Sequence, residues 1–170
     1  TTPHDMALLT RAIIKQYPQY YSWYKQKWIT YDNIRQPNRN RLLWRDTSVD
    51  GLKTGHTNAA GYCLISSANR NGMRLLSVVM GTPSDNDRSA FSETLLNWGY
   101  RFFKTYKLFS HDKPVAHPRV WYGKDKYINL GLNHDYYVTI PNGSYSKLKA
   151  TTEVQKEIKS GGFLTRIFSL

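Results

Sequence analysis

The stretch Val49-Asp50-Gly51-Leu52-Lys53-Thr54-Gly55-His56-Thr57 has the character of a ligand-binding strand at the edge of a sheet. Within it, the ammonium group of Lys53 attracts a carboxylate, and the hydroxyl group of Thr54 can donate a hydrogen bond to the same carboxylate. Gly55 has no side chain, so the backbone of a peptide can lie alongside the strand. The tripeptide Lys-Thr-Gly is a weak signal by itself, and its sequence context carries the argument.

Downstream of this stretch, the sequence predicts a three-stranded antiparallel meander. Runs of apolar and β-branched residues predict strands at residues 52–54, 62–68 and 73–80. The dipeptide Asn71-Gly72 separates the last two runs and favours the type I′ turn of a tight hairpin.

Helices are predicted before and after the meander in the sequence. Residues 3–16 have apolar residues at helical spacing, with Thr2 as N-cap, Pro3 at the first position and Asp5 at the third. Residues 20–44 predict a hairpin and a loop. Ser84 or Asp85 can cap a second helix, which we expect to pack across the meander. Its apolar residues recur every three or four positions as Phe91, Leu95, Trp98 and Phe102, with Leu96, Gly99 and Phe103 beside them.

The pattern of apolar and polar residues changes after residue 107, which predicts a second domain. Short alternating segments at residues 120–122, 127–130 and 136–140, separated by Gly and Pro residues, predict a small all-β domain over residues 108–150. Residues 151–170 are interpreted as a linker and a short amphipathic tail. The tail places apolar residues on one helical face, which suggests a membrane anchor, with a docked helix or a frayed end as alternatives; they are Phe163, Leu164, Ile167 and Phe168.

Charge and composition narrow the classes of partner. A net charge of +12 predicts attraction to a polyanion, which could be nucleic acid, an anionic membrane surface or a cell-wall polymer. The sequence shows no nucleic-acid-binding motif, so we expect no nucleic acid partner. Cys63 is the only cysteine, which excludes an intrachain disulfide. The five histidines show no metal-ligand spacing, so no metal site is expected. We expect a processed or truncated product, because the chain starts at Thr1 without a signal peptide.

The chain resembles the D-alanyl-D-alanine carboxypeptidases, which are low-molecular-mass penicillin-binding proteins. Ordered agreement at many segments makes this resemblance more specific than the tripeptide. The main segments are Asp5-Met6-Ala7-Leu8, Ile34-Arg35-Gln36-Pro37-Asn38-Arg39-Asn40, Leu42-Leu43-Trp44, Val49 to Thr57, Ala60-Gly61-Tyr62, Val79-Met80-Gly81 and Leu95-Leu96-Asn97-Trp98-Gly99-Tyr100-Arg101-Phe102-Phe103. The implied fold class is α+β: part of a penicillin-binding-protein or β-lactamase-like domain, followed by the small β domain and the tail.

The resemblance also implies a chemistry. In this family a Ser-x-x-Lys serine attacks the D-Ala-D-Ala bond of a peptidoglycan stem peptide, β-lactams trap the acyl-enzyme, and no cofactor takes part. By the same resemblance, Lys53 and Thr54 bind the terminal carboxylate of the substrate and help to set the local electrostatics, so Lys53 is also a catalytic candidate, and Gly55 belongs to the substrate-binding residues. The backbone N–H of His56 matches an oxyanion-hole donor, and for its ring, simple packing at the sheet edge is an equal alternative to a role in the site. Arg39 and Arg88 are candidates for steering or binding the carboxylate.

The nucleophile is not expected within these residues. Ser-x-x-Lys occurs four times, beginning at Ser22, Ser110, Ser144 and Ser146. Ser22 matches a non-catalytic position of the family, and the other three follow Lys53, whereas the family order places the serine first. Ser67-Ala68-Asn69 and Ser84-Asp85-Asn86 fail the same test of order.

The leading hypothesis is therefore the C-terminal part of a periplasmic carboxypeptidase that is attached peripherally to the inner membrane and is inactive alone. A β-lactamase-like hydrolase is an alternative, because it shares the Lys-Thr-Gly motif. A non-catalytic module that binds a cell-wall polymer is another, because the chain is basic and rich in aromatic residues.

Overall fold

The computed structural model describes residues 1–151 and 153, together with the backbone of residues 157–159. The chain divides into two compact units, Thr1–Phe102 and Phe103–Leu170. The first unit contains helices and an antiparallel meander, and the second contains short paired strands. This arrangement confirms the predicted α+β class.

The predicted meander is present in the first unit, and its strands are longer than the apolar runs suggested. It consists of β3 (Val49–Thr57), β4 (Gly61–Arg70) and β5 (Met73–Thr82), paired in the order β3-β4-β5. Asn71 and Gly72 both have positive φ, at 51° and 80°, as the type I′ turn requires. The turn therefore fixes the register between β4 and β5.

The chain before the meander begins with the predicted helix α1 (Pro3–Gln16). A reciprocal capping box starts it, because the Asp5 N–H donates to Thr2 Oγ1 (3.2 Å) and the Thr2 N–H donates to Asp5 Oδ2 (2.9 Å). Met6, Ile13 and Ile14 pack against a small buried cluster that includes Leu52. One face of the meander is thus covered by α1.

Short elements connect α1 to the meander. They are α2 (Pro18–Tyr21), a 3₁₀ helix (Ser22–Lys25), the hairpin of β1 (Trp28–Tyr31) and β2 (Ile34–Pro37), and α3 (Leu42–Arg45). The hairpin turns at Asp32 and Asn33, which have φ values of 48° and 57°. Both residue types tolerate the left-handed conformation, so the turn is a property of the local sequence.

Helix α4 (Asp85–Phe102) is capped by Ser84, whose Oγ accepts from the Asp87 N–H at 3.1 Å. The helix packs on the meander as expected, but through a different face from its most regular apolar stripe, because Phe91, Leu95, Trp98 and Phe102 are all exposed. The opposite face is buried, and it carries Ser89, Ser92, Leu96 and Gly99 beside Arg88.

Close approach of the helix to the sheet explains the choice of face. A Cβ atom placed on Gly99 would lie 2.5 Å from Leu75 Cδ1, so any side chain there would force Leu75 to shift. Leu96 joins a core cluster with Leu42, Val49 and Leu64. Small residues thus allow α4 to pack on the second face of the meander.

The second unit begins at Phe103, earlier than the predicted boundary at residue 108. β6 (Phe103–Phe109), which the sequence analysis did not predict, pairs antiparallel with β8 (Tyr136–Pro141). β7 (Arg119–Trp121) pairs in parallel with β9 (Glu157–Lys159), a strand inside the predicted linker. Residues 127–130 form isolated bridges through Tyr127 and Leu130 rather than the predicted strand.

The predicted anchor residues Phe163, Leu164, Ile167 and Phe168 lie outside the described residues. Among the described residues, no helix combines the length and apolar character needed to cross a bilayer.

Candidate substrate-binding cleft

A cleft of about 930 Å³ in the first unit gathers all the predicted site residues. It is bordered by β3, by the hairpin and the loop that follows it, and by the start of α4. Its lining includes Arg39, Lys53, Thr54, Gly55, His56 and Arg88. The structure therefore brings these six residues together at one cleft, while their roles in ligand binding stay predictions.

Strand β3 presents the Lys-Thr-Gly residues at the edge of the described sheet. Within the strand, the side chain of Leu52 is buried and that of the next residue, Lys53, is exposed. Lys53 Nζ donates to the carbonyl oxygen of Thr54 at 2.7 Å. An ammonium group that is exposed and only locally bonded can turn to a carboxylate of a ligand at little cost.

His56 lies directly opposite Tyr62 in the register of β3 and β4. The two rings are 3.9 Å apart between centroids, with an interplanar angle of 34°. This packing occupies a face of the imidazole ring. It favours the interpretation in which the side chain stabilises the sheet edge and only the backbone N–H has a catalytic role.

Arg88 lies in the cleft wall but is only 4% exposed. Its guanidinium group donates to the carbonyl oxygens of Gly55 (3.1 Å) and Cys63 (3.4 Å) and forms an ion pair with Asp85. Arg41 also pairs with Asp85. Because its Nη donors are engaged inside the protein, the geometry favours a role for Arg88 in holding β3 in place over direct contact with a ligand carboxylate.

Arg39 is exposed on the loop that faces β3. Asn40, which is buried beside it, donates to the Gly51 carbonyl oxygen (3.0 Å) and accepts from the Leu42 N–H (3.2 Å). Asn38 Oδ1 accepts from the Asn40 N–H at 2.9 Å. These bonds hold the loop against the strand, so the Arg39 guanidinium is kept at the cleft.

A polar network behind β3 was missed by the sequence analysis. The Asp50 carboxylate accepts from both Nη groups of Arg74 (2.8 and 2.7 Å) and from the Tyr21 hydroxyl (2.8 Å), and Arg74 also donates to Ser67 Oγ (2.6 Å). Burial raises the pKa of Tyr21 far above its usual range, and the Asp50 carboxylate adds to this shift. The hydrogen bond to Asp50 raises the pKa of Arg74. Tyr21 and Arg74 therefore stay protonated over the physiological range, and the network supports the start of β3.

In the described part of the chain, neither the serines singled out in the sequence nor the metal-ligating residue types form a second candidate site. Ser22 Oγ donates to the Gln19 carbonyl oxygen at 3.0 Å, and Ser67 and Ser84 are engaged as described above. Ser110, Ser144 and Ser146 belong to the other unit. No group of three His, Cys, Asp or Glu residues within the described ranges could hold a metal ion.

The meander, the helices on its two faces and the Lys-Thr-Gly strand at its edge place the chain in the class of penicillin-binding proteins with a C-terminal β domain. Residues 1–84 match the family described as D-alanyl-D-alanine carboxypeptidase, and residues 103–161 match the penicillin-binding protein 5 C-terminal domain. The chain belongs to the D-alanyl-D-alanine carboxypeptidase family.

Individual relatives agree with this assignment. The D-alanyl-D-alanine carboxypeptidase DacC of Escherichia coli (strain K12) is 47% identical over 152 residues, which are 89% of this chain and 38% of the relative. DacA of Haemophilus influenzae is 43% identical over 168 residues, covering 91% of this chain and 43% of the relative.

The fold comparison gives the same result. The crystal structure of penicillin binding protein 5 from Haemophilus influenzae has a TM-score of 0.79 at 43% identity, and the match covers 92% of this chain and 46% of that one. The chain therefore spans about two fifths of the length of the curated relatives it matches.

Proposed function

We propose that this chain forms the carboxylate-binding side of the active site of a serine-type D-Ala-D-Ala carboxypeptidase that trims peptidoglycan stem peptides. The observation that carries the proposal is the cleft in which Lys53, Thr54 and Gly55 lie on an open strand edge facing Arg39. The terminal carboxylate of the substrate binds between Lys53 and Thr54, and its backbone lies along β3. β-Lactams carry a carboxylate as well and compete for the same groups.

Catalysis requires a nucleophile that the described serines do not supply, so we expect the 170-residue chain to be inactive alone. In the complete site, the backbone N–H of His56 donates to the oxyanion of the tetrahedral intermediate. The match of residues 103–161 to the penicillin-binding protein 5 C-terminal domain supports the carboxypeptidase over the β-lactamase alternative.

The test is a titration of the ¹⁵N-labelled chain with N-acetyl-D-Ala-D-Ala, followed by NMR. We expect shifts at Lys53–His56, at least tenfold weaker binding of the matched C-terminal amide, and a similar loss in Lys53→Ala. The His56→Ala variant should bind the peptide normally, because only its backbone is used. Equal binding of the acid and the amide would contradict the proposal.

A periplasmic location and peripheral attachment to the inner membrane are further parts of the proposal. They are supported by the family and by the apolar face of the C-terminal residues in the sequence. Deletion of residues 163–170 should release the chain from anionic vesicles in a sedimentation assay. Unchanged sedimentation would rule out the proposed anchor.

A further inference from the structure

The cleft wall next to the Lys-Thr-Gly strand is rich in exposed tryptophan. Trp23, Trp28 and Trp44 line the cleft with exposures of 63%, 46% and 42%. They are three of the five tryptophans of the chain, so the tryptophans are concentrated in this wall. Large apolar side chains that share one concave surface mark a binding site more often than scattered ones do. We call these three residues the tryptophan corner.

The rings of the tryptophan corner are held by their neighbours. Trp28, on β1, meets Trp44, on α3, edge to face at 6.2 Å between centroids and an angle of 88°. Trp23 packs in the same manner against Tyr20 at 5.2 Å and 69°. Rings that are already oriented lose little conformational entropy when a ligand packs on them.

Cations surround the tryptophan corner and limit the chemistry of its ligand. The Arg35 guanidinium carbon lies 4.3 Å from the centroid of the Trp28 ring, and Lys27 Nζ lies 6.0 Å from that of Trp44. A cationic ligand would be repelled by these groups and by the net charge of +12. A ligand with acceptor oxygens and an apolar face is favoured, since Arg35, Lys27 and the cleft residue Gln36 supply donors.

We propose that the tryptophan corner binds a sugar ring of the glycan strand to which the stem peptide is attached. A pyranose ring has a face of C–H groups that packs on an indole ring, and its hydroxyl and acetamido oxygens accept hydrogen bonds at the edge. The inference rests on the proposed function, because it takes the carboxylate site at Lys53 as the other end of the same ligand.

The stem peptide connects the two ends of the proposed ligand. An extended peptide covers about 3.4 Å per residue, so a five-residue stem that ends in D-Ala-D-Ala spans roughly 17 Å from carboxylate to sugar. Both the Lys-Thr-Gly strand and the tryptophan corner line the one cleft. Peptide and sugar contacts then add within one molecule, and the cleft selects glycan-attached stems over free peptides.

The test uses a neutral saccharide, so that the basic charge of the chain plays no part. Tetra-N-acetylchitotetraose is added to the 170-residue chain, and saturation-transfer NMR measures contact with its protons. We expect transfer with the wild type and at least tenfold weaker binding in Trp28→Ala and in Trp23→Ala. Trp98→Ala is the matched control, because Trp98 is exposed on α4 and is not among the cleft residues.

The outcomes separate this inference from the proposed function. Lys53→Ala should retain saccharide binding while it loses N-acetyl-D-Ala-D-Ala binding. Absence of transfer to the saccharide, or equal binding by Trp28→Ala and Trp98→Ala, overturns the glycan subsite and leaves the carboxylate site standing if the peptide still binds. Should Trp28→Ala reduce only the partitioning into phosphatidylglycerol vesicles, the corner is a membrane contact and the inference is wrong. Each variant is first checked by its ¹⁵N spectrum.

Discussion

Gly51 and Gly55 lie on the same strand, but their surroundings differ. A Cβ atom on Gly51 would lie 2.6 Å from the Tyr21 hydroxyl oxygen, whereas a Cβ atom on Gly55 would lie 3.8 Å from Cys63 Cβ, an ordinary contact. Tyr21 is buried and its hydroxyl group is bonded to Asp50, so it has little freedom to move away. Gly51 is therefore required by packing, while Gly55 is open toward the cleft.

This difference predicts opposite behaviour for two alanine substitutions. Gly51→Ala should lower the free energy of unfolding by about 1–3 kcal/mol, because the methyl group overpacks the site and displaces Tyr21 from Asp50. Gly55→Ala should leave the free energy of unfolding within about 0.5 kcal/mol of the wild type and weaken the binding of N-acetyl-D-Ala-D-Ala, since the methyl group narrows the strand edge. Urea unfolding followed by circular dichroism measures the free energy of unfolding of both variants. Equal losses of stability in the two variants would show that the Tyr21 contact does not matter.

At the scale of elements, the buried face of α4 depends on small residues. Gly99→Leu should lower the free energy of unfolding by about 1–3 kcal/mol, because the new side chain meets Leu75 and forces the helix away from the sheet. Ala90→Leu is the matched control, since Ala90 is exposed on the same helix and leucine has good helix propensity. Thermal unfolding of the two variants gives the comparison. A smaller loss in Gly99→Leu than in Ala90→Leu would contradict the packing described for α4.

Within the second unit, Asp135 joins the start of β8 to β6 and the loop after it. Its carboxylate accepts from the His111 ring (2.8 Å), from the His111 N–H (3.0 Å) and from Lys107 (3.0 Å). The two bonds from His111, followed by the bond from Lys107, hold the pKa of Asp135 well below its usual range. The folded chain therefore binds a proton at this carboxyl group less readily than the unfolded chain does.

The sign of the pH dependence follows from this depressed pKa. The contribution of Asp135 to stability is fully present above the unfolded pKa of about 4 and is lost as the pH falls toward the folded pKa. In a ¹³C NMR titration, the Asp135 carboxyl group should titrate below about 3.9, and His111→Ala should raise its midpoint. Asp135→Asn should make unfolding in this unit less sensitive to acid between pH 5 and pH 2. A normal Asp135 midpoint would contradict the network.

Local signals explain which elements could be predicted from the sequence. The Thr2 and Asp5 caps and the Asn71-Gly72 turn act within a few residues, so α1 and the meander follow from the chain itself. The buried face of α4 could not be predicted in this way. Its apolar stripe and its small-residue face compete, and contact with Leu75 on another element decides between them.

The same distinction holds for the cleft. Lys53, Thr54 and Gly55 are adjacent in sequence and carry a motif, whereas Asp50 meets Tyr21 and Arg74 across 29 and 24 positions. No local pattern marks such a network, because each member is an ordinary residue until the fold brings the three together. The early boundary at Phe103 has a similar cause, since β6 is defined by its pairing with β8.

At the scale of the whole molecule, the exposed stripe of α4 predicts self-association. Phe91 and Leu95 border a shallow groove of about 480 Å³ with Met80 and Val78, so the apolar surface is continuous. The mass from light scattering should rise with protein concentration, and Leu95→Lys should reduce this rise. Ala90→Lys adds the same charge to α4 away from the stripe and should have a smaller effect. If both lysine variants act equally, net charge rather than the stripe controls association.

The division of the chain between Phe102 and Phe103 also affects how a melting temperature is interpreted. Contacts are concentrated within each unit, so calorimetry need not show one cooperative transition. The Gly51→Ala substitution then changes the melting temperature of the first unit, and Asp135→Asn changes that of the second. We therefore expect two thermal transitions, and a single Tm would then be an average over two melting events.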